Sequence, residues 1–147
     1  MSLQTDVIFI RALQESNEIV EYVDDHIYNT AIPMPEEDAD NVSAPYIIVA
    51  FNGFVNSDTT KDSEYDGMTD NVQIGITITA ITRPQLAALA IMVRKVIREF
   101  FFNLPDNDEE YTLVPLDYIL SAQPVQYDED KPCYWQVLTY QCVTNLD

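Results

Sequence analysis

Few residues in this chain of 147 are of a type that does chemistry. The densest group is the acidic stretch 62–70. Asp62, Glu64, Asp66 and Asp70 stand at positions 1, 3, 5 and 9 of a calcium-loop pattern, with Gly67 at the sixth, where a sharp turn is needed. Position 12 of that pattern is Gln73, which cannot supply the bidentate carboxylate. Gln73 also falls inside the strongest strand pattern of the chain, where a calcium loop needs an exiting helix. The expected role of 62–70 is therefore a solvated acidic hairpin tip, and no metal ligand is assigned.

His26 is the only histidine, so any histidine-dependent catalytic set would have to be built on it. Its sequence neighbours are Asp24 and Asp25, with no serine or cysteine nearby, which points to a surface or strand-end histidine. Cys133 and Cys142 lie nine positions apart in one predicted strand. That puts them on opposite faces and about 30 Å apart when extended. A disulfide needs Cα atoms within about 7 Å, so two separate reduced thiols are expected. No GxSxG, HExxH, P-loop or GxGxxG pattern occurs, and three glycines leave little material for a phosphate-cradling loop. Among 25 acidic residues no pair is set apart by an apolar surround, so none is singled out for acid–base work. Tyr127, Tyr134, Trp135 and Tyr140 near Lys131 are of the types that stack on nucleic-acid bases. The acids around them repel a phosphate backbone, and packing is the better account. No catalytic residue and no cofactor is expected.

Net charge is −18, which offers no electrostatic route to nucleic acid. The charge is unevenly spread. Residues 1–70 carry 15 acids against 2 bases, residues 106–147 carry 9 against 1, and residues 71–105 reverse the sign with 1 acid and 4 bases. The basic island is Arg83, Arg94, Lys95 and Arg98. Acidity alone serves solubility. A positive island in such a chain predicts a contact between Arg94, Lys95, Arg98 and an acidic neighbouring subunit.

Hydrophobic residues make up 47% of the chain and aromatics 11%, enough for a real core and too much for wholesale disorder. The longest apolar run, 86–93, falls well short of the roughly 20 residues that span a bilayer. The Met1-Ser2-Leu3-Gln4 start has neither a basic region nor a small-residue cleavage site, so secretion is not expected.

The elements follow from periodicity. Thr5 is a candidate N-cap for a first helix with Asp6 in its first turn, and Asn17 for a short second one over 18–23. Residues 26–30 form a short strand, 33–38 an exposed loop, and 46–51 a strand rich in β-branched and aromatic residues. The polar stretch 52–71 reads as a long hairpin or mobile loop. Val72, Ile74, Ile76, Ile78 and Ala80 then alternate with polar or small residues, the signature of a half-buried strand. Thr82 and Gln85 make a capping box for a helix that buries Leu86, Leu89, Ala90, Val93, Ile97 and Phe100, with Arg94, Lys95 and Arg98 on another face. Strands over 111–120 and 134–143 follow, joined across 127–131. The order α-β-β-β-α-β-β and the short connections predict a single α+β domain over 1–147. Its sheet would be mostly antiparallel, with two main helices on one face.

This succession resembles the small tail-terminator, or tail-completion, proteins of long-tailed phages. The likeness runs from Asp25-His26-Ile27-Tyr28 and Pro33 through Ala44-Pro45-Tyr46-Ile47-Ile48-Val49, the polar hairpin and Val72-Gln73-Ile74-Gly75-Ile76-Thr77-Ile78. It continues in the Thr-Arg-Pro helix start and the final strand Trp135-Gln136-Val137-Leu138-Thr139-Tyr140. The resemblance implies a non-catalytic ring, six subunits in the family. Such a ring caps the tail tube at its head-proximal end and meets a head–tail connector protein. The implied partners are further copies of itself, the tube protein and the connector, with no specific nucleic-acid binding and no membrane. The implied location is the virion tail, by way of the host cytoplasm during assembly. A different minor head–tail joining protein, or a cytosolic protein-binding domain unrelated to phage, remains open as an alternative.

Overall fold

A computed structural model describes residues 5–31, 44–58, 68–102, 113–114 and 121–145. In chain order these form α1 (Thr5–Gln14), α2 (Asn17–Val23), β1 (Ile27–Asn29), β2 (Tyr46–Asp58), β3 (Met68–Ala80), α3 (Arg83–Phe102), β4 (Leu113–Val114), β5 (Ser121–Ala122), β6 (Gln126–Asp128) and β7 (Cys133–Asn145). The sheet order is β1-β2-β3-β7-β4, with β5 and β6 also pairing with β7. All pairings are antiparallel except that of β1 with β2, which is parallel. The fold is thus the expected α+β arrangement, a mostly antiparallel sheet with its helices on one face. The parallel edge pair departs from the antiparallel pairing that short connections favour. Between β1 and β2 the chain has room to cross back to the starting end of the sheet.

Alternation on β3 works as its sequence predicts. Val72, Ile74, Ile76, Ile78 and Ala80 are all fully buried. They meet Ile47 and Val49 of β2 and Leu138, Tyr140 and Cys142 of β7, which are buried on the same face. Above them lie Ile8, Phe9, Ala12 and Leu13 of α1, Ile19 and Val23 of α2, and Leu86, Leu89, Val93 and Ile97 of α3. The Phe9 and Tyr140 rings, 5.6 Å apart, tie α1 to the last strand. Each aliphatic side chain so enclosed contributes about 1.5–3 kcal/mol relative to exposure.

The local signals of the helices need two adjustments. Ser16, not Asn17, caps α2, its hydroxyl accepting from the Ile19 N–H. Thr5 is itself the first described helical residue of α1 and is fully buried. α2 stops at Asp24, whose φ of 54° leaves helical space. On α3 Thr82 caps as expected, while the return bond from Gln85 goes one residue further back, to Ile81. Thr82 Oγ1 accepts from the Gln85 N–H at 3.3 Å, and Gln85 Oε1 accepts from the Ile81 N–H at 3.1 Å.

The polar stretch after Phe51 is strand for longer than its composition suggests. β2 continues to Asp58 and β3 begins at Met68, so 56–58 and 68–70 are paired backbone and not part of a mobile loop. Residues 59–67 lie outside the described residues. The device that carries β2 past Asn52 is a bulge: the register jumps from Phe51↔Ile74 to Phe54↔Val72, with Gly53 at a φ of 111°. Two residues on β2 there face one on β3. The strand expected over 111–120 is described only as β4 at 113–114, and two further short strands, β5 and β6, precede the final one. The polar link 127–131 is the tight β6–β7 hairpin.

Candidate functional site

Among the described residues, Tyr28 and the two cysteines sit in environments that hold them protonated. His26 lies between α2 and β1, its Nε2 3.7 Å from Asp25 Oδ1 and its ring stacked 6.1 Å from that of Tyr28. Burial, then the Asp25 charge, push the Tyr28 phenol above its ordinary value, away from the phenolate a base would need. Cys142 is buried on the helix side of the sheet, and that burial pushes its thiol up to about 12. Cys133, at the other end of β7, is also raised, by burial and by Asp128, with Lys131 acting the opposite way. Both sulfurs are therefore thiols at neutral pH, and the thiolate is the nucleophile. An open groove of about 450 Å³ is lined by Gln14, Val20, Asp24 and Asp25. It offers two carboxylates and no nucleophile among the described residues. Also among the described residues, no group of three His, Cys, Asp or Glu side chains is placed to hold a metal ion, and no helix is long and apolar enough to cross a membrane. The calcium-like positions 62–67 fall outside the described residues. Gln73 is an exposed strand residue of β3.

The remaining features are surfaces. α3 turns its buried stripe toward the sheet, and Arg94, Lys95 and Arg98 are all exposed on the outside of the helix. Arg94 and Arg98 are one turn apart, so the two cations repel by a few tenths of a kcal/mol within their own helix. The helix dipole does not account for their position either. It favours acids in the first turn and bases in the last. α3 has no acid in its first turn and no base in its last, while Arg83 opens it and Glu99 lies near its end. At the N-terminal edge of the basic face stands Ile91, 67% exposed, with exposed Ala87 one turn before it. Sequence reasoning passed over Ile91. Its signal was phase: it is an isoleucine lying off the 86–89–93–97 stripe.

A second surface was also missed. On the face of the sheet turned away from the helices, Tyr28, Ile48, Thr77 and Val137 form one cross-strand row, and Tyr46, Thr79 and Trp135 the next. Neither row carries a charged residue. Above Gly75 on this face the Asn52 amide comes so close that a Cβ there would lie 2.5 Å from Nδ2.

A third surface is the tip of the β6–β7 hairpin. Asp128 Oδ1 accepts from the N–H groups of Asp130 and Lys131, at 3.0 and 3.4 Å, and so fixes the turn. Tyr127 packs at 4.9 Å on Tyr134 yet remains 52% exposed, beside exposed Glu129 and Asp130. The result is a hydrogen-bonded, net acidic knuckle, with exposed Lys131 its one base, and an aromatic flank.

No protein-family model matches this chain, and no curated protein does. Among solved structures, it is similar to a chain of the virion of a native gene transfer agent (GTA) particle. The TM-score is 0.62 at 14% sequence identity, covering 96% of this chain and 94% of that one. At that identity the likeness shows a shared fold over essentially the full length of both chains.

Proposed function

We propose that this protein is a structural subunit of a phage-type virion, and within it a ring-forming tail terminator that caps the tail tube and joins it to the head-side connector. The observation that carries the reading is the end-to-end correspondence of fold with a chain from a gene transfer agent virion. A domain match would leave an extra region to explain; here almost nothing is left over on either side. The surface chemistry supports an assembly role. A chain at −18 must lower its self-repulsion to associate, and Arg94, Lys95 and Arg98 are the described cluster of bases able to do so. These three residues are the proposed subunit contact. A closed ring needs one surface meeting a different one on the next copy, which a basic face on an acidic protein provides.

The test is deletion of the gene from its phage or prophage, with electron microscopy of the particles. Tails of uncontrolled length that stay unattached to heads are expected, and native mass spectrometry of the purified chain should show a closed oligomer, a hexamer. Tails of normal length beside unjoined heads would instead identify a head–tail joining protein. Normal particles would remove the virion role.

A further inference from the structure

We propose that the acidic knuckle of one copy, Tyr127 with Glu129 and Asp130, docks on the basic face of α3 of the next, where Arg94, Lys95 and Arg98 follow exposed Ile91 along the helix. This rests on the ring reading above and names the partner surface that it leaves open.

The two surfaces match in kind. Each offers one large exposed apolar group, Tyr127 or Ile91, beside charges mainly of one sign, with exposed Lys131 the exception in the knuckle and exposed Glu99 the exception on α3, and the net signs are opposite. An apolar centre with a charged rim is how a small specific contact is built: the centre excludes water and the rim fixes register and excludes wrong partners. The knuckle is held for the purpose by its Asp128 turn and by the Tyr127–Tyr134 ring contact, so little order has to be imposed on docking.

Within one molecule the two cannot meet. Tyr134 pairs with both Tyr127 of β6 and Ala80 of β3, so the knuckle projects from the end of the sheet where α3 begins. α3 then runs back along the sheet, burying Leu86, Leu89, Val93 and Ile97 in succession. At 1.5 Å per residue, Arg94 and Arg98 lie about 18 and 24 Å from the Thr82 cap. A four-residue turn at that end does not reach them. Complementary patches that a chain cannot bring together in itself are satisfied head to tail between copies. The contact then repeats until the rotation closes it.

Three chains test the pairing by sedimentation velocity and native mass spectrometry: wild type, Arg94→Glu/Arg98→Glu, and Glu129→Lys/Asp130→Lys. Each double reversal alone should weaken association by about tenfold or more, since two rim charge pairs are inverted. Mixed in equal amounts, the two variants should assemble again with 1:1 composition, because each presents the charge that the other's patch now requires. Far-UV circular dichroism of each variant, and a milder Glu129→Gln/Asp130→Asn chain, separate lost contact from lost fold. If the α3 reversal blocks assembly while the knuckle reversal does not, the ring stands and the knuckle is the wrong partner. If neither has an effect, or the mixture fails to assemble, the pairing is overturned. A wild-type chain that stays monomeric at all concentrations ends both the ring and the pairing.

Discussion

The two faces of the sheet are made by the same strands and have opposite characters. On the helix side, Val72, Ile74, Ile76, Ile78, Leu138 and Tyr140 are buried almost completely. On the other side the residues that alternate with them, such as Thr77, Val137 and Trp135, are only half-buried. Strand geometry alone sends neighbours to opposite faces; what the helices cover decides which face becomes core. The helix-side face therefore sets whether the chain folds, and the outward surfaces are left to set what it meets.

The largest effect should come from breaking the covered face. Ile76→Ala should cost about 2–5 kcal/mol in urea unfolding, since the site is enclosed by strands and helices and cannot collapse fully. The matching change on the other face, Val137→Ala, should cost clearly less. Equal losses would mean that the outer face is packed as tightly as the core.

Next is the bulge that keeps the faces in phase. Gly53→Ala imposes a side chain on a φ of 111° and should cost about 1–3 kcal/mol. The expected sign of success is loss of amide protection along β2 beyond position 53, with the β1-proximal end unaffected. A cost spread evenly over the sheet would show that the bulge is not what carries the strand on.

Third, the thiols report the faces by pH. Cys142 has its folded value raised to about 12 against an ordinary 9.0. Its neutral form is the one the fold favours, so stability is intact below pH 9 and falls above it, as the unfolded chain loses the proton first. The slope should be about 1.4 kcal/mol per pH unit at most, over roughly pH 9 to 12. Cys142→Val should flatten that part of the stability profile more than Cys133→Val does, since the Cys133 thiol is raised in the same direction but is less buried. In the native protein a thiol reagent at pH 8 should reach Cys133 before Cys142.

Smallest is the effect of Arg94→Glu/Arg98→Glu on the isolated subunit. Both side chains are exposed, and thermal unfolding of the monomer should change by no more than about 0.5 kcal/mol. A larger loss would show that these bases stabilise their own subunit and are not reserved for a neighbour.

Much of this was legible in the residues because it depends on local order along the chain. The alternation over 72–80, the 86–89–93–97 stripe and the Thr82–Gln85 cap are each complete within a few residues. The separation of Cys133 from Cys142 on one strand was likewise plain from spacing. Where reading failed, the deciding partner was distant in sequence. Asn52-Gly53 reads as the end of a strand, and only pairing with Val72 through a bulge continues it. Ser16 and Asn17 are equally good caps by type, and the chain's path into α2 chose Ser16. The parallel placement of β1 depends on where β2 starts, which no residue of 27–29 encodes.

The candidate site divides along the same line. That Arg94, Lys95 and Arg98 share a helix surface follows from spacing alone, because 3.6 residues per turn is a property of the backbone. That Ile91 is left uncovered beside them, and that the Tyr127–Asp130 knuckle is held at the end where α3 begins, depends on how the sheet and helices pack. The sequence alone determined which residues are charged, which are apolar and at what period they recur. Only the tertiary structure decided which of them remain at the surface, since burial is a property of the neighbours a residue meets and not of the residue itself.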